Sequence, residues 1–303
     1  IHLYGRLGGL ENPPAHDNAN FKIVLRQPLH RLLFQKGEHH NKIGLGRELG
    51  QILPHGIRRR CNHNAFALIR PPGHHAGERH AAGFCLFNNI ALGARYALSR
   101  HRLNRILIVD WDLHHGDGTA HIFDNDNRVL YFSTHQSPAY PGTGAVREIG
   151  QGKGAGFTIN VPLRPGAGNA QYVKIYRALL DPVARAFKPE LILVSAGFDI
   201  YYQDPLGEMK VTPRGFAYLT RILMNIADDC CGGKLVMVLE GGYHIDGLTE
   251  SVKSVLRELC DETQVTDEEL FRIEGEGEER FSPTEPLIQS VMEQIKPYWK
   301  IFQ

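Results

Sequence analysis

Asp110, Asp112 and His114 alternate with the apolar residues Val109, Trp111 and Leu113. On an extended segment alternate side chains share a face, so two carboxylates and an imidazole would converge. The apolar run Ile106–Val109 ahead of them places that cluster at a buried strand end. Charges removed from water in this way need a cation to offset their desolvation. Oxygen and nitrogen donors without thiolate suit Zn²⁺, Mn²⁺ or Fe²⁺. Asp199, after the apolar run Leu191–Val194 and a small-residue turn, offers another carboxylate. With Asp112 and His114 it makes a set of three protein ligands that leaves positions for water and substrate. Taken alone, Asp199 also suits a helix N-cap, and the Asp110–Asp117 stretch a surface loop.

A second group of side chains suits proton transfer. His74 and His75 follow Pro71, Pro72 and Gly73, which stiffen the approach and permit a tight turn. Asp110 and Asp117 are available to fix an imidazole tautomer and raise its basicity, as a general base requires. Tyr243 follows Gly241 and Gly242; its phenol can donate a hydrogen bond to a developing oxyanion, and the glycines would let it swing inward.

These residues need a scaffold. Apolar, β-branched runs recur at Ala65–Ile69, Arg105–Trp111, Val129–Ser133, Phe157–Val161, Leu191–Ser195 and Leu235–Leu239. Each reads as a buried strand, being continuously apolar instead of alternating. Leu86–His101, Ala170–Phe187, Pro213–Ala227 and Ile245–Leu259 have helical length and periodicity. Strands alternating with helices predict an α/β fold with a mostly parallel sheet flanked by helices on both faces. The polar clusters all fall just after strands, and open α/β sheets form their sites at strand carboxyl ends. Residues 1–64 show only scattered Gly and Pro, His39-His40 and a weak helical pattern near Ile43–Leu53.

Composition narrows the class. The chain has 303 residues, 34 Lys and Arg against 33 Asp and Glu, a net charge of +1 and 42% hydrophobic residues. That is globular, and lacks the basic excess of a dedicated nucleic-acid binder. No apolar run approaches the roughly 18–20 residues that span a bilayer, and no secretory leader is visible. Five cysteines without a C-x-x-C pair argue against a disulfide framework or thiolate zinc site. The expected setting is intracellular: cytoplasmic, or nuclear in a eukaryote. Asp261–Arg280 holds nine acidic and two basic residues and reads as a solvated loop, or less readily as a binder of basic partners. Pro286–Trp299 reads as a closing helix. A single domain over 1–303 is expected, with a divergent part at 1–64, a core at 65–260, and an acidic loop and C-terminal helix at 261–303.

Seven segments together are recognisable: Arg70–Ala76 (RPPGHHA), Gly83–Asn89 (GFCLFNN), Asp110–Thr119 (DWDLHHGDGT), Tyr140–Gly144 (YPGTG), Ser195–Asp199 (SAGFD), Asp204–Gly207 (DPLG) and Leu239–Tyr243 (LEGGY). In order and spacing they resemble the histone deacetylase family, in the form of its class II and bacterial deacetylase-like branch. The match runs from about Asn64 to about Leu259. The resemblance implies the single-domain arginase/deacetylase fold and a Zn²⁺-dependent deacylase. It implies Asp112, His114 and Asp199 as zinc ligands, His75 as general base, His74 as its electrostatic partner, and Asp110 and Asp117 as the carboxylates behind His74 and His75. Tyr243 would polarise the carbonyl. Phe84 and Tyr140 would wall the acyl channel, with Gly83 accepting from the substrate amide and Leu206 near the rim. It further implies a structural K⁺ or Na⁺ at Asp110, Asp112, His114 and Ser133, with Phe123 and Val129 near a second.

Two departures bear on substrate. The acidic rim residue usual in the family has no evident counterpart, although Glu11, Asp17 or Glu38 could supply one, and Tyr140 stands where Phe is more usual. The expected substrate is an acetylated lysine peptide or protein, with a small acylated amine such as an acetylpolyamine as the alternative; oligomers are compatible with either. A binuclear ureohydrolase would supply more carboxylates after the fifth strand, and a silent acyl-lysine binding module would have lost a ligand or Tyr243. The rim segment Ile200–Gly207 is mainly apolar and aromatic, with Asp204 its nearest carboxylate, which favours a peptide over a polycation.

Overall fold

The computed structural model describes residues 63–262, 265–276 and 284–303. The pattern near Ile43–Leu53 and the candidates Glu11, Asp17 and Glu38 lie outside the described residues. Six strands, β1 (Asn64–Ala67), β2 (Ile106–Asp110), β3 (Val129–Gln136), β4 (Thr158–Leu163), β5 (Leu191–Ala196) and β6 (Leu235–Leu239), form one sheet in the order β1-β6-β5-β2-β3-β4. Every pairing is parallel. The sheet is covered on both faces, which is why its strands read as unbroken apolar runs. β3 continues past Ser133 through Thr134, His135 and Gln136, which are polar yet buried. β4 carries Pro162, tolerated because β4 is an edge strand.

Helices α1 (Asn89–Arg100) and α2 (Asp117–Phe123) cover one face, where Ile90, Ala94 and Phe123 pack on Ile106, Ile108 and Val236. The Asn88 side chain caps α1 by accepting from the Ala91 N–H at 3.0 Å. On the other face lie α3 (Asn169–Ile175), α4 (Asp181–Phe187), α5 (Pro213–Cys231) and α6 (Ile245–Leu259), over a core that includes Leu107, Val109, Phe132 and Val194. Thr212 caps α5, Pro213 opens it, and Gly232 at φ 63° closes it. The expected helix Ala170–Phe187 is divided: a π turn at Tyr176–Leu180 separates α3 from α4. Pro182, two residues beyond it, has no N–H to continue the regular ladder.

The acidic stretch is not loop throughout, because Asp267–Glu276 forms α7. Asp267, Glu268 and Glu269 occupy its first turn, where the helix dipole favours negative charge. Leu270 is buried, and Glu269 and Glu274 pair with Arg214 and Arg177. The closing helix α8 spans Thr284–Ile295, and beyond it the Trp299 indole donates to the Gly156 carbonyl at 2.8 Å. Among the described residues no helix is long and apolar enough to cross a membrane.

The strand order creates the site. From the central pair β2 and β5, the chain proceeds through β3 and β4 on one side and through β6 on the other. The connections therefore diverge where β2 and β5 end, and a crevice opens at their carboxyl ends.

Candidate active site

The crevice floor holds Asp112, His114 and Asp199, each with a donor atom within 4.8 Å of the others. His114 Nδ1 lies 3.1 Å from both Asp112 Oδ1 and Asp199 Oδ2. The remaining carboxylate oxygens are anchored by main chain: Asp112 Oδ2 accepts from Gly241 N–H and Asp199 Oδ1 from Leu113 N–H, both at 2.9 Å. Asp112 Oδ1, which also accepts from the His114 N–H at 2.9 Å, and Asp199 Oδ2 both meet the His114 imidazole. β2 ends at Asp110, so Asp110, Asp112 and His114 do not share one extended face. The chain bends after the strand; Asp110 turns to His74 while Asp112 and His114 meet Asp199.

Burial and charge shift the titration of the cluster. Burial and the Asp112 charge push the Asp199 carboxyl up to about 7. At His114, desolvation is outweighed by the hydrogen bonds to Asp112 and Asp199, and its pKa rises to about 10. Two carboxylates and one imidazole, without thiolate and facing a cavity, fit a divalent ion of the zinc type with open positions.

Beside the cluster, two adjacent histidines have opposite environments. His74 Nδ1 lies 3.1 Å from Asp110 Oδ2, and its Nε2 3.6 Å from Asp112 Oδ1. Desolvation there is outweighed by Asp112 and Asp110, which hold the His74 pKa well above its usual value. His75 Nδ1 lies 2.7 Å from Asp117 Oδ1. Desolvation and then the His74 charge lower its pKa. The two imidazoles stand side by side, ring centroids 4.1 Å apart, with their pKa values pushed in opposite directions. Groups pushed apart in this way are suited to different proton-transfer roles.

A cavity of about 390 Å³ leads to the cluster. His74, His75, Asp112, His114 and Tyr243 line its depth, and Phe84, Tyr140 and Leu206 its mouth. Gly83 has φ +53°, and a Cβ there would meet the His75 ring at 2.2 Å. Burial, then Asp199 and Asp112, raise the Tyr243 pKa, so it remains a phenol. Gly241 and Gly242 serve close approach more than swing: a Cβ on Gly241 would meet Asp199 Oδ2 at 2.5 Å, and one on Gly242 the Phe198 Cβ at 2.9 Å. Ser133 sits apart from the cavity, beside Asp110 in register, its hydroxyl 3.0 Å from His135 Nδ1; Phe123 and Val129 belong to the apolar core.

Residues 52–259 match the model of the histone deacetylase domain. The chain belongs to the histone deacetylase family. A protein named "Probable deacetylase" from Archaeoglobus fulgidus is 49% identical over 191 residues, 63% of this chain and 53% of that protein. The polyamine deacetylase HDAC10 of Homo sapiens is 48% identical over 202 residues, 65% of this chain and 30% of that protein. The crystal structure of the HDA15 HD domain superposes with a TM-score of 0.68 at 39% identity, covering 79% of this chain and 63% of that one. The chain spans about half or less of these curated relatives' length. The six-stranded parallel sheet flanked by helices is the arginase/deacetylase fold of that family.

Several residues around this site escape a reading by motif. Glu240 is fully buried; its Oε2 accepts from the N–H groups of Gly73 and His74, and its Oε1 from the Ser195 hydroxyl at 2.9 Å. It fastens the His74-His75 loop to β5 and the end of β6, and burial pushes its carboxyl up to about 7. Tyr131 donates to Asp110 Oδ2 at 2.9 Å, fixing the carboxylate behind His74. Asp204 is not a rim carboxylate. It is buried, with its oxygens taken by the N–H groups of Leu206, Tyr243 and His244. A lone Glu or Asp within a Gly-rich turn is the signal that such a role exists, but its partners lie too far along the chain to be read.

Proposed function

We propose that this chain is a zinc-dependent deacetylase that hydrolyses the acetyl amide of lysine side chains in peptides or proteins, giving acetate and a free amine. The observation that carries this reading is the cluster of Asp112, His114 and Asp199 at the floor of a cavity that His75 and the phenol of Tyr243 line. Zn²⁺ held by Asp112, His114 and Asp199 would supply Lewis-acid polarisation of the amide carbonyl and activation of water. His75, its Nδ1 held by Asp117, accepts the proton of the attacking water and returns it to the departing amine. Tyr243 donates a hydrogen bond to the carbonyl oxygen as negative charge grows there. His74, kept cationic by Asp110 and Asp112, holds His75 neutral and ready to accept. Phe84 and Tyr140 enclose an aliphatic stem, and Gly83 offers its carbonyl to the substrate amide N–H. A structural K⁺ or Na⁺ at Asp110, Asp112, His114 and Ser133 belongs to the same reading, as does a single domain in the cytoplasm, or the nucleus in a eukaryote.

The similarity to a polyamine deacetylase favours a second reading, a small acylated amine as substrate. The residue composition of the mouth argues for the first. Leu206, Phe84 and Tyr140, which surround it, bring no carboxylate to a polycation, and Asp204 is buried with its oxygens taken by main-chain N–H groups. Desolvating an unpaired ammonium there is costly. The test is kcat/KM for an acetyl-lysine peptide against acetylputrescine and acetylspermidine, with and without chelator. The peptide is expected to be preferred, Leu206→Glu to narrow the gap, and chelator to abolish both activities. A wild-type preference for the acetylpolyamines would overturn the peptide assignment.

A further inference from the structure

Asp204 joins two segments that meet the cavity from different directions. Its Oδ1 accepts from the Leu206 N–H at 3.0 Å, at the mouth. Its Oδ2 accepts from the N–H of Tyr243 at 2.7 Å and of His244 at 3.1 Å, where α6 begins. The Asp204 N–H in turn donates to the Tyr201 carbonyl at 2.9 Å, closing the turn that presents the carboxylate. The segment carrying Tyr243 is fastened upstream at Gly241, whose N–H donates to Asp112 Oδ2 and whose carbonyl accepts from the Phe198 N–H, each at 2.9 Å. Between the two fastenings lies Gly242 at φ +127°, a conformation that side-chain-bearing residues rarely adopt. Past that glycine, the bond from the Tyr243 N–H to Asp204 is what fastens the segment carrying the phenol.

We propose that Asp204 is a positioning residue, whose carboxylate sets where the Tyr243 phenol stands in the cavity and couples that position to Leu206 at the mouth. The chemistry demands a carboxylate. Three N–H donors converge on two oxygens, and an ionised acceptor makes shorter and stronger bonds than a neutral one. Asparagine has the same shape but one acceptor oxygen, and its NH₂ would face an N–H on one side. Either the Leu206 or the Tyr243 and His244 fastening is then lost. This proposal rests on Tyr243 acting as the oxyanion donor.

The experiment is a double-mutant cycle on the zinc-loaded full chain, with an acetyl-lysine peptide as substrate: wild type, Asp204→Asn, Tyr243→Phe and both together. Asp204→Asn is expected to lower kcat by roughly 10²-fold, the scale of an ångström-sized misplacement, with KM and metal content largely unchanged. In the Tyr243→Phe background the same substitution should cost almost nothing further, because groups acting as a unit are not additive. An equal fold loss in both backgrounds overturns the proposal, since Asp204 then acts independently of the phenol. If Tyr243→Phe itself leaves kcat unchanged, the oxyanion role fails, and the positioning role fails with it; the two failures are read from different arms. Should Asp204→Asn not fold, Asp204→Glu, which keeps the charge and lengthens the reach, supports or overturns the proposal by the same comparison.

Discussion

At the floor of the cavity Asp112, Asp199 and His74 are almost wholly buried and their polar atoms have named partners, whereas at its mouth Phe84 is 74%, Tyr140 52% and Leu206 50% exposed. The floor is fastened to β2, β5 and β6 by main-chain N–H groups, so its geometry is inherited from the sheet. The mouth is carried by loops. Phe84 is held at φ +66°, a left-handed conformation that costs a non-glycine residue about 1–3 kcal/mol. Strain is retained there to place one exposed ring. The contrast teaches that substitutions at the floor should remove the reaction, while those at the mouth should redirect it.

The largest expected effect breaks the floor. Asp199→Ala or His114→Ala should abolish both stoichiometric Zn²⁺ and deacetylation, exceeding the roughly 10–100-fold loss typical of outer partners of a metal site. Metal analysis and peptide deacetylation on the same preparations check this; full activity with metal retained contradicts the ligand assignment. Tyr243→Phe should come next, lowering kcat by roughly 10²–10³-fold with substrate binding largely preserved. A raised KM at constant kcat would make Tyr243 a binding residue only.

The paired histidines give a pH prediction. A base must be neutral to accept a proton, and desolvation together with the His74 charge lowers the His75 pKa below its usual 6.5. The rate should therefore rise with pH and reach its plateau with a midpoint below 6.5. The Asp117 hydrogen bond opposes that lowering. Asp117→Asn should shift the acid limb to still lower pH and reduce the plateau by about 10–100-fold. A pH profile of kcat/KM with a midpoint above 6.5 would contradict the assignment.

Much of this contrast is legible in the sequence. Residues at the floor announce themselves because a carboxylate or imidazole after an apolar strand is chemically conspicuous, and strands β5 and β6 fall almost where their apolar runs do. Three things were not legible. The polar end of β3 is buried by neighbours distant in sequence, so apolarity could not mark it. Helical periodicity in Ala170–Phe187 is continuous, and only the backbone shows the wider turn ahead of Pro182. Asp204 reads only as the carboxylate nearest the rim, because its three partners are main-chain N–H groups, which every sequence has and none displays.

The mildest test sharpens the mouth. Tyr140→Phe removes a hydroxyl from a half-exposed ring, and water can compensate for its loss. Activity on an acetyl-lysine peptide should change by about two- to tenfold, the range of one hydrogen bond, with metal content intact. Loss of metal in this variant would erase the distinction between mouth and floor.

The most direct measurement of the central claim is acetate release from an acetyl-lysine peptide, followed together with metal content through removal and return of Zn²⁺ on one preparation of the full chain. Deacetylation should disappear as the metal is stripped and return with stoichiometric Zn²⁺, and Asp199→Ala should not be restored by the same addition. Undiminished acetate release from metal-free protein, or restoration of Asp199→Ala by stoichiometric Zn²⁺, would contradict the account.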